Sequence, residues 1–216
     1  MKNIVFDMDG VIFDTEKIWV EAYKKASKKF NQNFDETLRK QVCGMNNNEI
    51  NKIFAEKFPE IDALQVRKFM TDYVQKTIQK QGVQLKDGFV ELIHFLKTKK
   101  FKLALATGSE LEVVENYFEQ VGLKVNEIFD AVIAGNMVEK SKPAPEIYVS
   151  ACNKLGVNSE GCIAIEDSPN GVVSASKAGL DVLFVIDQIK PDEQINKHAK
   201  HIFNNLFEVK DYLSKN

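Results

Sequence analysis

Short apolar runs that alternate with helical patterns constrain the fold of this 216-residue chain more than any other feature. Runs of this length that stop at polar or turn residues are typical of strands buried on both faces of a sheet. Side chains at helical spacing, such as Phe89, Leu92 and Leu96, lie between several of the runs. The alternation predicts an α/β fold, with a Rossmann-like parallel sheet and helices on both faces. The five runs occupy residues 4–6, 101–106, 131–134, 162–165 and 183–186.

One interval breaks the alternation. More than 80 residues separate the first run from the run at 101–106, far too many for one crossover helix. Residues 16–81 carry apolar side chains at helical spacing throughout. We therefore predict a catalytic core of residues 1–15 and 82–216 and a helical cap of residues 16–81, inserted after the first strand. The alternative is a helical layer packed on the sheet.

Composition narrows the classes of function. The net charge of -2 gives no broad basic field, so we expect neither a nucleic-acid nor a membrane partner. The three cysteines have no close spacing, which favours a reducing compartment over a disulfide framework or zinc site. With no secretory segment or 18-residue apolar span in the sequence, we expect a cytoplasmic protein. We also expect a monomer that acts on a small molecule.

Two acids, Asp7 and Asp9, directly follow the first apolar run, and Gly10 comes next. Residues i and i+2 of an extended chain point the same way, so both carboxylates can address one cleft. A carboxylate can take up a phosphoryl group, and a second carboxyl can protonate the leaving alcohol and later deprotonate water. The pattern predicts a catalytic pair, although a solvated turn after a strand has the same pattern.

A hydroxyl and a glycine, at Thr107 and Gly108, follow the run at 101–106. Free N–H groups at a helix entrance favour an anion, and so does the helix dipole. These residues are therefore a candidate phosphate cradle. Simple N-capping of the helix through Leu111 would use the same residue types.

The segment 140–145 contains two lysines and two prolines. Pro143 disfavours helical geometry at Lys142, and Pro145 can begin the next helix. A lysine fixed in extended chain can hold charge on a phosphoryl group. Lys140 is the rival for this role, and both lysines could instead be solvated loop residues.

Two adjacent acids, Glu166 and Asp167, end the run at 162–165. Buried acids are costly unless something positive meets them. The carboxyl ends of parallel strands face one crevice, so these acids can meet Asp7 there. Together they would offer Mg²⁺ the hard oxygen ligands that it prefers. An acidic helix N-terminus would give the same pair of residues.

Taken together, the four motifs resemble those of the haloacid dehalogenase superfamily, in its helical-cap phosphatase and β-phosphoglucomutase-like subgroup. The matching stretches are residues 6–16, 104–107, 141–143 and 165–168 with Gly171, in the family's order along the chain. The resemblance implies a helical cap between the first and second motifs, where the long interval lies.

The resemblance also implies a role for each motif residue. Asp7 would be the nucleophile, and Asp9 would be the general acid and base. Thr107 and the Gly108 N–H would hold the phosphoryl group that is transferred. Lys142, the lysine that precedes a proline, would bridge that group and Asp7.

The cofactor that the resemblance implies is Mg²⁺. Asp7 would bind it through its second oxygen, and Asp9 through its backbone carbonyl. Asp167 would complete the site, with Glu166 as a direct ligand or as a partner of one.

The activity implied is hydrolysis of small phosphorylated metabolites, such as sugar phosphates, through an aspartyl-phosphate intermediate. The alternative is a β-phosphoglucomutase-like mutase, which must hold two phosphates. The mutases resemble one another in a cap histidine, where this chain has Trp19, and in a cap arginine after a Gly-x pair. The segment 44–48 contains no cation, so we expect no second phosphate anchor in the cap and favour hydrolysis.

Two other classes fit less well. A dehalogenase would not need Asp9, because a halide leaves without a proton. A phosphoaspartate receiver module would be shorter and would place its acids on different strands.

Substrate choice is expected to depend on the cap. Trp19 is a candidate specificity residue, or a residue of the cap core. Asn46 and Asn47 could hydrogen-bond a sugar or form a turn. The sequence does not identify the substrate.

Overall fold

The computed structural model describes residues 3–215 and contains one parallel sheet of six strands, in the order β3-β2-β1-β4-β5-β6. This confirms the predicted α/β fold. Five strands lie at the predicted runs. The sixth, β6, was not predicted, because this edge strand is only three residues long and largely exposed. The strands are β1 (Asn3–Phe6), β2 (Lys102–Ala106), β3 (Ala131–Ile133), β4 (Cys162–Glu166), β5 (Asp181–Val185) and β6 (His201–Phe203).

Eleven α-helices accompany the strands within residues 3–215. The first four follow β1 in the chain, and the other seven belong to the α/β core. The first four are α1 (Glu16–Phe30), α2 (Glu36–Val42), α3 (Asn47–Lys57) and α4 (Ala63–Gln81). The others are α5 (Phe89–Thr98), α6 (Leu111–Gln120), α7 (Val125–Ile128), α8 (Glu146–Leu155), α9 (Pro169–Lys177), α10 (Glu193–His198) and α11 (Leu206–Lys215).

Side chains of the central strands alternate between two buried layers, as period-two geometry requires. Ile4 and Phe6 join the apolar cluster that includes α5, α6 and α11. Val5 joins the opposite cluster, formed with α8 and α9. Several strand residues of this second layer are alanines, which leave room for the fully buried Tyr148 of α8. These alanines are Ala104, Ala106, Ala131 and Ala164.

Helices α1–α4 form a helical cap inserted after β1, in agreement with the predicted fold class. Helix α4 packs against α1 and α3, and the apolar stripes of α1 and α4 are buried between them. The chain enters and leaves the cap along two adjacent segments. The Asp14 N–H donates to the Gln84 carbonyl at 2.9 Å, and the Lys86 N–H to the Ile12 carbonyl at 2.8 Å. The division at residues 15/16 and 81/82 stays a prediction.

The strand order determines where a ligand can bind. From the central strand β1, the chain continues to β2 on one side and later to β4 on the other. In open parallel sheets such a reversal leaves a crevice at the carboxyl ends of the strands. The cap covers this crevice. No helix within residues 3–215 has the length and apolar character needed to cross a membrane.

Candidate active site

A cavity of about 600 Å³ lies between the cap and the carboxyl ends of β1, β2 and β4. Most of the predicted site residues form its wall. Lys142 and Glu166 lie behind that wall, in contact with Asp7 or with each other. The predicted residues that line the cavity are Asp7, Asp9, Trp19, Asn47, Thr107, Gly108 and Asp167.

Asp7 follows β1 and is held in place from two directions. Its N–H donates to the Ile165 carbonyl at 3.0 Å, which continues the pairing of β1 with β4. Its Oδ1 accepts a hydrogen bond from Lys142 Nζ at 2.6 Å, whereas no hydrogen bond within residues 3–215 reaches Oδ2. Burial raises the pKa of Asp7 to about 8, against the attraction of Lys142. The carboxylate is therefore positioned, with one oxygen left for another partner.

Lys142 is fully enclosed between two carboxylates. Its ammonium donates to Asp7 Oδ1 and Glu166 Oε1, both at 2.6 Å, and to the Ala106 carbonyl at 3.2 Å. Lys140, its rival in the sequence, is exposed. Lys142, and not Lys140, is therefore the lysine that contacts Asp7.

Glu166 uses both carboxylate oxygens inside the protein. Oε1 accepts from Lys142 and from the Tyr148 hydroxyl at 2.7 Å. Oε2 accepts from the N–H groups of Asp167 and Ser168, at 2.9 and 3.0 Å, and from the Ser168 hydroxyl. With both oxygens engaged, Glu166 is better suited to orient its neighbours than to bind a metal directly. The sequence interpretation did not include Tyr148.

Asp7, Glu166 and Asp167 form a buried cluster of carboxylates that fits a divalent cation. One oxygen from each lies within 4.8 Å of the others. Burial raises the pKa of Asp167 well above its usual range, and the charge of Glu166 raises it further. Three acids face one lysine, so the site has an excess of negative charge for a metal to offset. Gly10 is needed beside them, because a Cβ there would overlap the Asp167 carboxylate.

Asp9 is held by two hydroxyl groups that the sequence interpretation missed. Thr15 Oγ1 donates to Oδ1 at 2.6 Å, and Ser109 Oγ donates to Oδ2 at 2.8 Å. Burial raises the pKa of Asp9, although both hydrogen bonds lower it. Thr15 lies within the first motif and Ser109 two residues after the second, but only the fold brings them to Asp9. Among residues 3–215, no hydrogen bond uses the Asp9 backbone carbonyl oxygen.

Thr107 and Gly108 present groups that an anion can use. The Thr107 hydroxyl oxygen accepts from the Ser109 N–H at 3.1 Å, which leaves its proton to donate. No hydrogen bond within the described chain uses the Gly108 N–H. A Cβ at Gly108 would lie 2.9 Å from the Gly44 carbonyl, so glycine permits close approach of the cap loop.

One expectation from the sequence is wrong for the cap wall, the part of the cavity lining that belongs to α1–α4 and the loops between them. We expected no cation there, but Arg39 of α2 and Arg67 of α4 both line the cavity and are buried. Residues 44–48 contain no cation, but these arginines come from helices before and after that segment. The overlooked signal is that Arg67 has helical spacing with Ala63, Met70 and Val74, so an arginine lies on the apolar face.

The three predicted specificity residues have different positions. Trp19 lines the cavity and also packs against the apolar cluster that runs through the cap, and its role in specificity stays a prediction. Asn47 lines the cavity and accepts a hydrogen bond from Arg67 at 2.8 Å. Asn46 is not part of the cavity wall within residues 3–215. Its side chain caps α3 by accepting from the Glu49 N–H, and its own N–H donates to Ser141 Oγ.

Comparisons with known proteins agree with this geometry. A family model for haloacid dehalogenase-like hydrolases matches residues 4–185. The phosphorylated carbohydrates phosphatase of Thermotoga maritima is 31% identical over 85% of this chain and 84% of its own. The (DL)-glycerol-3-phosphatase 2 of Arabidopsis thaliana is 29% identical over 86% of this chain and 79% of its own. The crystal structure of CbbY from Rhodobacter sphaeroides in complex with phosphate is 26% identical, covers 96% of this chain and 95% of its own, and has a TM-score of 0.78. These matches confirm the resemblance predicted from the four motifs.

Proposed function

The chain belongs to the haloacid dehalogenase-like hydrolase family, and on that premise we propose that it is a Mg²⁺-dependent phosphatase of small phosphorylated metabolites. Phosphorylated sugars and polyols are the preferred substrates in this proposal, and Asp7 carries the phosphoryl group as an aspartyl phosphate. The names of the two phosphatase relatives support the substrate class. A monomeric, cytoplasmic protein without nucleic-acid partners stays a prediction.

The observation that carries the proposal is the pair of carboxylates at the end of β1. Asp7 has one oxygen on Lys142 and one without a partner within residues 3–215. Asp9 faces the same cavity with both of its oxygens held by hydroxyls. One acid is thus arranged as a nucleophile and the other as a proton carrier.

In the first step, the free oxygen of Asp7 attacks phosphorus and the bond from phosphorus to the substrate oxygen breaks. Protonated Asp9 donates its proton to that leaving oxygen, which departs as an alcohol. Thr107 and the Gly108 N–H donate to the oxygens of the phosphoryl group, and the charge of Lys142 stabilises them. Asp7 is then an acyl phosphate.

In the second step, water attacks the phosphorus of the acyl phosphate. Asp9, now a carboxylate, takes a proton from that water, and the bond between Asp7 and phosphorus breaks. Inorganic phosphate is released and both acids return to their starting states.

The carboxylates of Asp7 and Asp167 and the Asp9 carbonyl would hold Mg²⁺, with Glu166 fixing the lysine and the backbone around them. Bound Mg²⁺ would offset the repulsion between Asp7 and a phosphate dianion. The donor set consists of oxygen atoms, which Mg²⁺ prefers.

Substitution of Asp7 by Asn tests the nucleophile. Phosphate release from a panel of sugar phosphates and nucleotides with Mg²⁺ should fall on the order of 10⁴-fold or more, as happens when a nucleophile is removed. Thermal unfolding should show a folded protein. The exposed Asp211→Asn is the matched control and should keep wild-type rates. Activity of Asp7→Asn within a few-fold of wild type would refute the assignment.

The buried arginines of the cap wall also favour a second candidate, the phosphomutase, because a mutase needs a cation for its second phosphate. β-Glucose 1-phosphate separates the two functions. Conversion to glucose 6-phosphate with little phosphate release would establish the mutase, and stoichiometric phosphate release would establish the phosphatase.

A further inference from the structure

Arg67 is a buried cation in the cap wall of the cavity. It is 7% exposed and lies among the apolar residues of α4. Arginine is rarely buried to this extent unless an anion or several hydrogen bonds compensate it.

The compensation of Arg67 is incomplete. No carboxylate among residues 3–215 lies within 4.0 Å of it, and its buried Nε has no hydrogen-bond partner there. One nitrogen, Nη2, donates to Asn47 Oδ1 at 2.8 Å, and the guanidinium lies 5.2 Å from the centre of the Trp19 ring. Burial lowers the pKa of Arg67, but a guanidinium remains charged. An oriented positive charge therefore borders the cavity without an anion.

Arg39, the other cavity arginine, differs in this respect. Its Nη1 lies 3.9 Å from a Glu16 carboxylate oxygen, and its Nη2 donates to the Gln188 carbonyl at 3.3 Å. Its charge is partly balanced within the chain, so Arg67 is the better candidate for binding a ligand.

The surroundings of Arg67 are arranged to hold it. Asn47 accepts from Arg67 and also donates through Nδ2 to Glu110 of the core at 3.3 Å. Trp19 supplies the aromatic face on which a guanidinium stacks favourably. Thr71 and Gln75, further along α4, line the cavity as well.

We propose that Arg67 binds a second anionic group of the substrate, a carboxylate or a further phosphate, at the end remote from the phosphoryl group that is transferred. The inference rests on the proposed phosphatase function and specifies its substrate class as small metabolites with two anionic groups. A cavity of about 600 Å³ accommodates a sugar-sized molecule of this kind.

The test uses p-nitrophenyl phosphate as the reporter substrate and two matched pairs of competitors. Glycerol 3-phosphate and 3-phosphoglycerate differ by a carboxylate, and fructose 1-phosphate and fructose 1,6-bisphosphate differ by a phosphate. In wild type, the competitor with the second anionic group should have the lower inhibition constant in at least one pair. The pair that shows the difference identifies the anion.

Variants then assign that difference to Arg67. A hydrogen bond to a charged group corresponds to about a 10- to 100-fold change in binding. Arg67→Gln should therefore raise the inhibition constant of the competitor that carries the second anionic group by that factor. Arg67→Lys should be intermediate, because it keeps the charge but not the fork of donors. Lys68→Gln removes an exposed cation one residue away, which pairs with Asp72 at 3.3 Å, and should match wild type.

Equal inhibition constants within both pairs in wild type would overturn the inference, and this measurement needs no variant. Equal weakening of both members of a pair by Arg67→Gln, in a variant that melts as wild type does, would also overturn it. If wild type releases no phosphate from p-nitrophenyl phosphate or from the substrate panel, the proposed function itself fails. If wild type hydrolyses phosphate esters but the inhibition constants within each pair are equal, only the proposed binding of a second anionic group by Arg67 is refuted.

Discussion

The two walls of the cavity differ in how buried charge is compensated. The core wall is formed by Asp7, Asp9, Thr107, Gly108 and Asp167, and we include in it Lys142 and Glu166, which lie directly behind them. The cap wall contains Arg39 and Arg67. On the core wall, Lys142 is enclosed by Asp7 and Glu166. Glu166 in turn accepts five hydrogen bonds, one of them from Lys142. On the cap wall, within residues 3–215, Arg67 has a single hydrogen bond, and the buried Nη1 of Arg39 has no hydrogen-bond partner. The core wall is organised before a substrate arrives, whereas the cap wall offers charge to a group outside the chain.

The difference follows from the elements that build each wall. Parallel strands fix the positions of the residues at their carboxyl ends through the pairing of the sheet. The cap residues lie on helices that pack mainly on one another, and α2 also packs on α9 of the core. Precise placement suits the reacting atoms, and a separate helical unit suits substrate choice.

The largest effect expected from this comparison is on stability when a cation is removed from the core wall. Lys142→Met would leave buried carboxylates uncompensated, which typically costs about 3–5 kcal/mol of unfolding free energy. Arg67→Met removes a cation from the cap wall and leaves no carboxylate of residues 3–215 unpaired, so the loss should be about 1 kcal/mol or less. Urea unfolding with EDTA present measures both.

Lys140→Met is the matched control, because this exposed lysine lies two residues from Lys142. Its stability should stay within about 0.5 kcal/mol of wild type. A Lys142→Met variant as stable as Lys140→Met would mean that the core wall does not depend on internal charge compensation, and the comparison would fail.

The sequence predicts the core wall better than the cap wall for a physical reason. Its acids, Thr107 and Lys142 follow strands or precede a proline, so local patterns indicate both their identity and their direction. The contact of Ser109 with Asp9 joins residues 100 positions apart, and the contact of Arg67 with Asn47 depends on how two helices pack. Such contacts have no local pattern, although an arginine on the apolar face of α4 marks a residue to examine.

The second prediction concerns the acidic cluster of the core wall. Ligand binding at 100 times its Kd stabilises a protein by about 2.7 kcal/mol, so saturating Mg²⁺ should raise the thermal unfolding temperature of wild type. Asp167→Asn should lose most of this increase, because it removes one of the two carboxylates that would hold the ion. In EDTA, the variant should be at least as stable as wild type, since it lacks a charge that burial and Glu166 both disfavour.

Asp211→Asn, an exposed change, should retain the full effect of Mg²⁺. If Mg²⁺ stabilises Asp167→Asn as strongly as wild type, the ion binds elsewhere. Mg²⁺ would then not be the group that offsets the excess of negative charge on the core wall.

The smallest effect should come from Ser109, whose hydroxyl holds Asp9 on the core wall at 2.8 Å. Ser109→Ala removes one of two hydroxyl donors and leaves Thr15, so kcat should fall about tenfold, corresponding to about 1.4 kcal/mol. The loss of this donor should also raise the pKa of Asp9, because the hydrogen bond favours the charged carboxylate. The pH profile of kcat should therefore shift to higher pH. Ser176→Ala, which removes a hydroxyl 3.0 Å from His198 outside the site, should change neither quantity. An unchanged pH profile in Ser109→Ala would show that Thr15 alone positions Asp9. The hydrogen bond from Ser109 would then contribute nothing to the organisation of the core wall.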